Sequence, residues 1–528
     1  VAVGRAVATT IDIPGMYNAT NHFIDRHAGK TSGSRIAYTD HAGDWTYQQL
    51  AILVDQAGNV LSNLGLKAEQ RVLMCMTDSV SFPAVFWGAI KIGAIPVPVN
   101  TMLTDVDYVY MLHDSCARVL VVSESLYSKF APHIDGQSSL QEVVIDGSRI
   151  DGRPSLSVLM ESFEAELPTA PTQRQDSAFW LYTSGPTGQP KGAVHRHSDL
   201  VQTARLYGDG ILKLDQSDVV FSAAKLFFAY GLGNIMSFPL HVGCRTVLLA
   251  DRPTPEIVLS VMKEQKVSIF FGVPTLYGAI LSNDANDRSK VSDRLRLCVS
   301  AGEALPEEIG REWERRFGVP ILDGLGSTEL LHIFLSNRPD DVRYGTTGRV
   351  VGGYKLRIVD ENDLDVETGG MGELLVSGPS SAVCYWGQPE KSVQTFQGEW
   401  TRSGDKYYQD NQGYYVYCGR TDDMLKVGGI WVSPFEVESA MIADERVLEV
   451  AVIGYKDDFG LVKPKAYVVL KAGVEKTSEL VEELQKFVKG RLALFKYPRR
   501  IEFMDVLPKT ATGKIQRYKL RNQDSDQP

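Results

Sequence analysis

Cysteine is sparse: six in 528 residues, Cys75, Cys116, Cys244, Cys298, Cys384 and Cys418, each alone and none in a C-x-x-C pair. Such spacing suggests neither a zinc site nor a disulfide framework and leaves them as reduced thiols. Basic residues are outnumbered, 55 Lys and Arg against 65 Asp and Glu, for a net charge of −10. This argues against a nucleic-acid-binding surface but leaves room for a local basic pocket. Long apolar runs are scarce as well. The most apolar stretch, 80–99, contains Lys91, Pro83, Pro96 and Pro98 and would sit poorly in lipid, so no membrane span is expected. No export signal is read near the start, which makes a cytoplasmic protein the expectation. His195 and His197 have no further ligands nearby and read as loop residues entering a helix rather than a metal site.

Hydrophobic residues make up 44% of the chain and charged residues 23%, and the length exceeds one ordinary core, so two or more domains are expected. Helical and strand periodicities alternate. A helix is expected from Thr46 through Leu50, Leu53, Val54, Val60 and Leu61 to the break at Gly65, then a strand at 71–76, a helix at 85–92 and strands at 118–122 and 142–145. The Pro-, Ser- and Glu-rich 151–175 stretch reads as a connecting loop. Helices follow at 199–212, 256–265 and 274–281, with strands at 218–222, 267–271, 296–300 and 319–323. Past 345 the pattern turns to short alternating strands, 355–359, 372–377 and 400–417, which reads as antiparallel sheet. A small tail begins near 424, with strands at 450–454 and 465–470. Its helix shows Leu480, Val481, Leu484, Phe487, Val488 and Leu492 at 3.6-residue spacing.

Within 181–192 the residue types suit phosphate. The apolar strand Ala178-Phe179-Trp180-Leu181-Tyr182 empties into a segment where Gly185, Gly188 and Gly192 let the backbone approach an anion. Thr183, Ser184 and Thr187 offer hydroxyls, and Lys191 a mobile positive charge. The P-loop pattern of ATPases is absent, because Lys191 follows Pro190 and precedes Gly192; Gly513-Lys514 fails likewise before Ile515.

The run Tyr-Thr-Ser-Gly-x-Thr-Gly-x-Pro-Lys-Gly resembles the signature of the adenylate-forming superfamily of acyl-CoA synthetases, luciferases and peptide-synthetase adenylation domains. Further motifs in the right order extend the resemblance over nearly the whole chain. It implies an α/β fold: a large N-terminal AMP-binding domain, 1–420, with α/β-layered subdomains and a β subdomain; a hinge, 421–423, turning on Asp422; and a small mobile α+β C-terminal domain, 424–528. It also implies roles for particular residues. Thr183, Ser184, Gly185, Thr187, Gly188 and Lys191 would form the phosphate loop, with Thr328 and Glu329 as the second core motif and Glu329 as a ligand of Mg2+. Ala301, Gly302, Glu303, Asp323, Gly324, Leu325, Gly326 and Ser327 would cradle the nucleotide, Asp405 and Arg420 would hold its ribose, and Lys514 would be the catalytic lysine of the mobile domain. Gly428, Gly429 and Trp431 would line the CoA channel. Two departures stand out: Pro186 replaces a usual serine, removing a hydroxyl and an N–H, and Leu325 stands where an aromatic residue usually stacks on adenine.

The aromatic and glycine-rich 225–234 segment matches the superfamily's acyl-pocket wall. Phe228, Ala229, Tyr230, Gly231, Ala301, Gly326, His332 and Ile333 would frame that pocket, and no acid in the set would recognise an amino-acid ammonium. Among the superfamily, Thr-Ser-Gly-Pro-Thr-Gly, Phe-Phe-Ala-Tyr-Gly-Leu-Gly-Asn and Gly-Ser-Thr-Glu-Leu-Leu-His-Ile-Phe most resemble benzoate–CoA ligases. The resemblance therefore implies an ATP- and Mg2+-dependent ligase that makes an acyl-AMP from an aromatic carboxylic acid and transfers the acyl group to CoA. A hydroxybenzoate, an aminobenzoate or a medium-chain fatty acid is an alternative substrate, and a non-catalytic nucleotide sensor or a luciferase-like oxygenase an alternative class. A homodimer is left open.

Overall fold

A computed structural model of the chain describes residues 12–29, 32–137, 139–184, 189–427, 430–457, 460–509 and 515–525. In it the apolar 80–99 stretch becomes the buried helix Ser81–Lys91 and the strand Ile95–Pro98. The helix packs on Tyr47–Asn63, which starts in a capping box: Thr46 accepts the N–H of Gln49, and the Gln49 side chain accepts the N–H of Thr46. The two helices meet backbone to backbone. A methyl group on Gly88 would lie 2.7 Å from the nitrogen of Gly58, so the crossing demands glycine. Lys91, at the buried end, is neutralised by Asp25 at 2.8 Å and Asp55 at 2.5 Å, which is how a lysine is accommodated in so apolar a run. No helix among the described residues is long and apolar enough to cross a membrane, and all six cysteines are free.

Two sheets carry most of the chain before residue 350. The smaller is parallel throughout, in the order Ile95–Pro98, Arg71–Cys75, Val119–Ser123, Glu142–Asp146. The larger has nine strands and a parallel centre running from Ile36–Asp40 to Ile321–Gly326. Antiparallel strands close its edges, Gly43–Thr46 at one and Ile333–Ser336 with Arg349–Val350 at the other. An antiparallel sheet follows, in which Lys355–Val359 pairs with Gly372–Ser377, that with Trp400–Gln409, and that in turn with Tyr415–Arg420. The tail builds its own core: Val447–Lys456, Val462–Leu470 and Arg500–Met504 form a sheet, and the helix Ser478–Lys489 buries Leu480, Leu484 and Val488 against it.

Three expectations need correcting. The expected 151–175 loop contains the helix Leu156–Glu161, because Leu156 and Met160, four residues apart, share one buried face. The strand expected to end at Asp323 continues to Gly326, since Ile333–Ser336 folds back and pairs with it. The expected 199–212 helix is His197–Thr203 followed by a π-helical turn, Ala204–Asp209.

Candidate active site

The glycine-rich stretch belongs to a β-hairpin. Ser177–Ser184 and Pro190–Arg196 pair antiparallel, with Thr183 opposite Lys191 and Tyr182 opposite Gly192. Strand register therefore places Thr183 and Lys191 side by side, without the helix N-terminus that a P-loop uses. A third segment joins the hairpin through Val383 N–H to Val194 O and Trp386 N–H to Gly192 O, both 2.8 Å, and it delivers Tyr385. The Tyr385 hydroxyl donates to Glu329 Oε1 at 2.6 Å, and Lys191 Nζ lies 4.3 Å from the centre of its ring. Burial, reinforced by the Glu329 charge, holds the Tyr385 hydroxyl above its usual pKa, so it remains a donor. Burial lowers the pKa of Lys191, and Glu329 opposes the shift.

Glu329 lies in the turn between Ile321–Gly326 and Ile333–Ser336. Leu331 there holds a left-handed φ of +67°, a conformation costing about 1–3 kcal/mol that surrounding contacts must enforce. Those contacts grip the turn's carbonyls: His195 Nε2 donates to Thr328 O at 2.8 Å and Ala382 N–H to Glu329 O at 2.7 Å. His195 is thus no loop residue. It is a fully buried strand residue on the Lys191 face of the hairpin, with Nδ1 turned to the buried carboxylate of Asp199 at 3.3 Å.

The segment expected to wall the acyl pocket forms the helical turn Ala229–Leu232, containing Tyr230 and Gly231, and passes directly into a π-helical turn, Gly233–Ser237. Together they present two acceptors to His332 Nε2, Asn234 Oδ1 at 3.0 Å and Tyr230 O at 3.3 Å. Nε2 therefore carries the hydrogen, and the buried Nδ1 has no partner among the described residues. Burial pushes the pKa of His332 down to about 3, so the imidazole is neutral at physiological pH. The packing is tight, since a methyl group on Gly233 would lie 2.2 Å from His332 Cδ2. The Tyr230 hydroxyl is tied to Gly272 O and Val299 O, each at 3.3 Å. Gly326 pairs with Ile333 and Gly324 with Ala301, which brings the expected pocket residues Ala301, Gly326 and Ile333 onto adjacent strands, while the Phe228 ring lies tilted against Phe227 at 4.5 Å.

The expected nucleotide residues gather at the same strand ends. Gly302, with φ +94°, turns Glu303 off the end of Leu297–Ala301. Leu325 pairs with Leu335 and packs against the core, and Ser327 Oγ accepts the N–H of Leu330 at 3.3 Å. Asp405 and Arg420 face one another across paired strands at 3.1 Å, and the carboxylate holds the guanidinium well above its usual pKa. Asp422 follows, beside Asp423, which pairs with Arg521 at 2.7 Å. Trp431 lies under Lys426 at 5.3 Å and Lys406 at 5.6 Å. Gly185, Pro186, Thr187, Gly188, Gly428, Gly429 and Lys514 lie outside the described residues, and Ser184 is described only by its backbone place on the strand.

Burial raises the Asp323 carboxyl from 3.8 to about 8. The folded chain then holds this proton between about pH 4 and about pH 8 while the unfolded chain has released it, so the stability it contributes is complete below that window and lost as pH rises through it. Asp323→Asn is expected to flatten the fall in melting temperature between about pH 5 and about pH 8, measured by thermal denaturation. Parallel curves for variant and parent would count against the shift.

Elements of this kind suit a nucleotide-binding enzyme, and the chain belongs to the AMP-binding enzyme family: residues 24–386 match that family, and residues 436–514 match the AMP-binding enzyme C-terminal domain. It is 55% identical over 515 residues to a benzoate–CoA ligase of Thauera aromatica, covering 97% of each chain. Among solved structures it is similar to a benzoate CoA ligase from Burkholderia xenovorans LB400, with TM-score 0.90 and 46% identity over 96% of this chain and 100% of that one. It is also similar to an anthranilate CoA ligase in complex with anthranoyl-AMP, with TM-score 0.94 and 40% identity over 97% and 98%.

Proposed function

We propose that the protein is an AMP-forming acid–thiol ligase that converts benzoate and ATP to benzoyl-AMP and pyrophosphate, then transfers the benzoyl group to CoA and releases AMP. The observation that carries the choice of acid is the uncharged wall around the neutral His332, in a chain sharing more than half its residues with a benzoate–CoA ligase. Such a wall suits a bare ring. A second reading has one observation in its favour: the unpartnered His332 Nδ1 would accept from a ring hydroxyl or amino group.

Benzoate is ionised at neutral pH, so its attack on the α-phosphorus needs no general base. What it needs is two anions held together and the developing charge stabilised, which falls to Lys514, Lys191 and the hairpin donors. Among the described residues no group of three or more His, Cys, Asp or Glu side chains is set to hold a metal. A single carboxylate, Glu329, suits a Mg2+ that keeps its waters and binds mainly through substrate phosphates, where it would neutralise their charge. Asp405 and Arg420 would take the ribose, and the 301–302 and 323–327 segments the adenine. In the second step the 424–528 part would turn about Asp422 and bring Trp431 to the CoA arm.

Release of AMP across a panel of benzoates and fatty acids, with ATP and CoA present, tests this. Benzoate should show the highest kcat/KM; a fatty acid in first place, or no AMP from any aromatic acid, would overturn it. Tyr385→Phe keeps the ring under Lys191 but deletes the donor to Glu329, and affinity for Mn2+ with ATP is expected to fall about tenfold, as when a metal ligand's outer partner is removed. Paramagnetic titration reads this directly, and unaltered affinity would make the hydrogen bond incidental.

A further inference from the structure

The backbone N–H of Ile515 donates to Glu303 Oε1 at 2.8 Å across 212 positions of sequence. Ile515 directly follows Lys514. On the tail's own side, Ile515 bridges to Lys509, and Gln516 N–H donates to Pro508 O at 2.8 Å, so the two ends of the segment carrying Lys514 are held together. Glu303 thus grips the base of that segment from the nucleotide strands. The ion pairs that hold the tail's last helix are of a different kind. Arg517 pairs with Glu438 at 2.8 Å and reaches Asp423 at 3.7 Å, where Arg521 also binds. Those ion pairs lie beyond Asp422 and would travel with any rotation about it, whereas the bond to Glu303 crosses the rotation point and must break.

We infer that Glu303 is a positioning residue, a dock that holds the Lys514 segment at the nucleotide for the first half-reaction and releases it for the second. This assigns its carboxylate to the tail rather than to adenine, and it rests on the two-step ligase reading. One oxygen is already occupied by a backbone donor, and a negative charge on the nucleotide strands is better used to hold an N–H than to approach a polyanion.

Three variants of the full chain test it: Glu303→Ala, Glu303→Asp, which keeps the charge but is too short to reach, and Glu303→Gln, which keeps an acceptor oxygen in place. Measured for each are benzoate-dependent ATP–pyrophosphate exchange, thioester formation from supplied benzoyl-AMP and CoA, and AMP affinity by calorimetry. In the Ala and Asp variants the exchange kcat should fall about tenfold, the worth of one hydrogen bond to a charged group, with KM for ATP and AMP affinity within about twofold. Thioester formation should be unchanged, and the Gln variant should recover most of the exchange. A raised KM and weakened AMP binding would make Glu303 an adenine contact instead, equal loss in both half-reactions would reduce it to support of the fold, and unchanged exchange in Ala and Asp would make the bond idle. Should the Ala variant not fold, the Asp variant carries the comparison. Absence of exchange in the parent enzyme would overturn the ligase reading itself, and the dock with it.

Discussion

Lys514→Ala is expected to abolish benzoate-dependent pyrophosphate release, by about a thousandfold, while conversion of supplied benzoyl-AMP to thioester survives. The reasoning is electrostatic. Joining an ionised carboxylate to a triphosphate builds negative charge on a crowded phosphorus, and a lysine ammonium aimed there acts where the charge develops. The second step instead expels AMP from an acyl carbon, and the tail would by then have turned away. Lys191 shares in steadying the charge but cannot take the place of Lys514, because it is half-buried on the hairpin and set against the Tyr385 ring. Exchange and thioester assays on one preparation decide the matter, and comparable losses in both would remove Lys514 from the assigned role.

Glu329→Gln should have the next largest effect. The amide keeps an oxygen for the Tyr385 hydroxyl, now 2.6 Å from the carboxylate, and keeps the backbone bond from Ala382, so the turn should stand. What disappears is the negative charge offered to a hard cation. Adenylation is expected to slow about a hundredfold, with a steep rise in half-saturating Mg2+ and loss of Mn2+ binding in the presence of ATP. A variant with the parent's metal dependence would place the cation elsewhere.

The legible parts of this protein are those governed by neighbours in sequence. The helix expected from Thr46 begins at Tyr47 because its capping box spans only the four residues Thr46–Gln49 and its apolar stripe repeats every turn. The strands expected at 355–359 and 372–377 are Lys355–Val359 and Gly372–Ser377, since alternation and turn residues declare them locally. The π-helical turn at Gly233–Ser237 left no such mark, although it sets Asn234 against His332. Nor did Tyr385 or His195 stand out. One lies in an aromatic dipeptide like any other, and for the other the only clue was its place four residues beyond Lys191, on the same face of a strand.

By itself the sequence determined the alternation of helices and strands, the separate tail, and the order of motifs by which the chemistry was recognised, because each depends on residue types within a few positions of one another. Only the tertiary structure decided which side chains hold the turn: Tyr385 reaches Glu329 across 56 positions, His195 reaches Thr328 across 133, and Ile515 reaches Glu303 across 212. A hydrogen bond depends on angle and distance between two groups, and no local periodicity encodes the distance between groups that only the packing of separate sheets brings together.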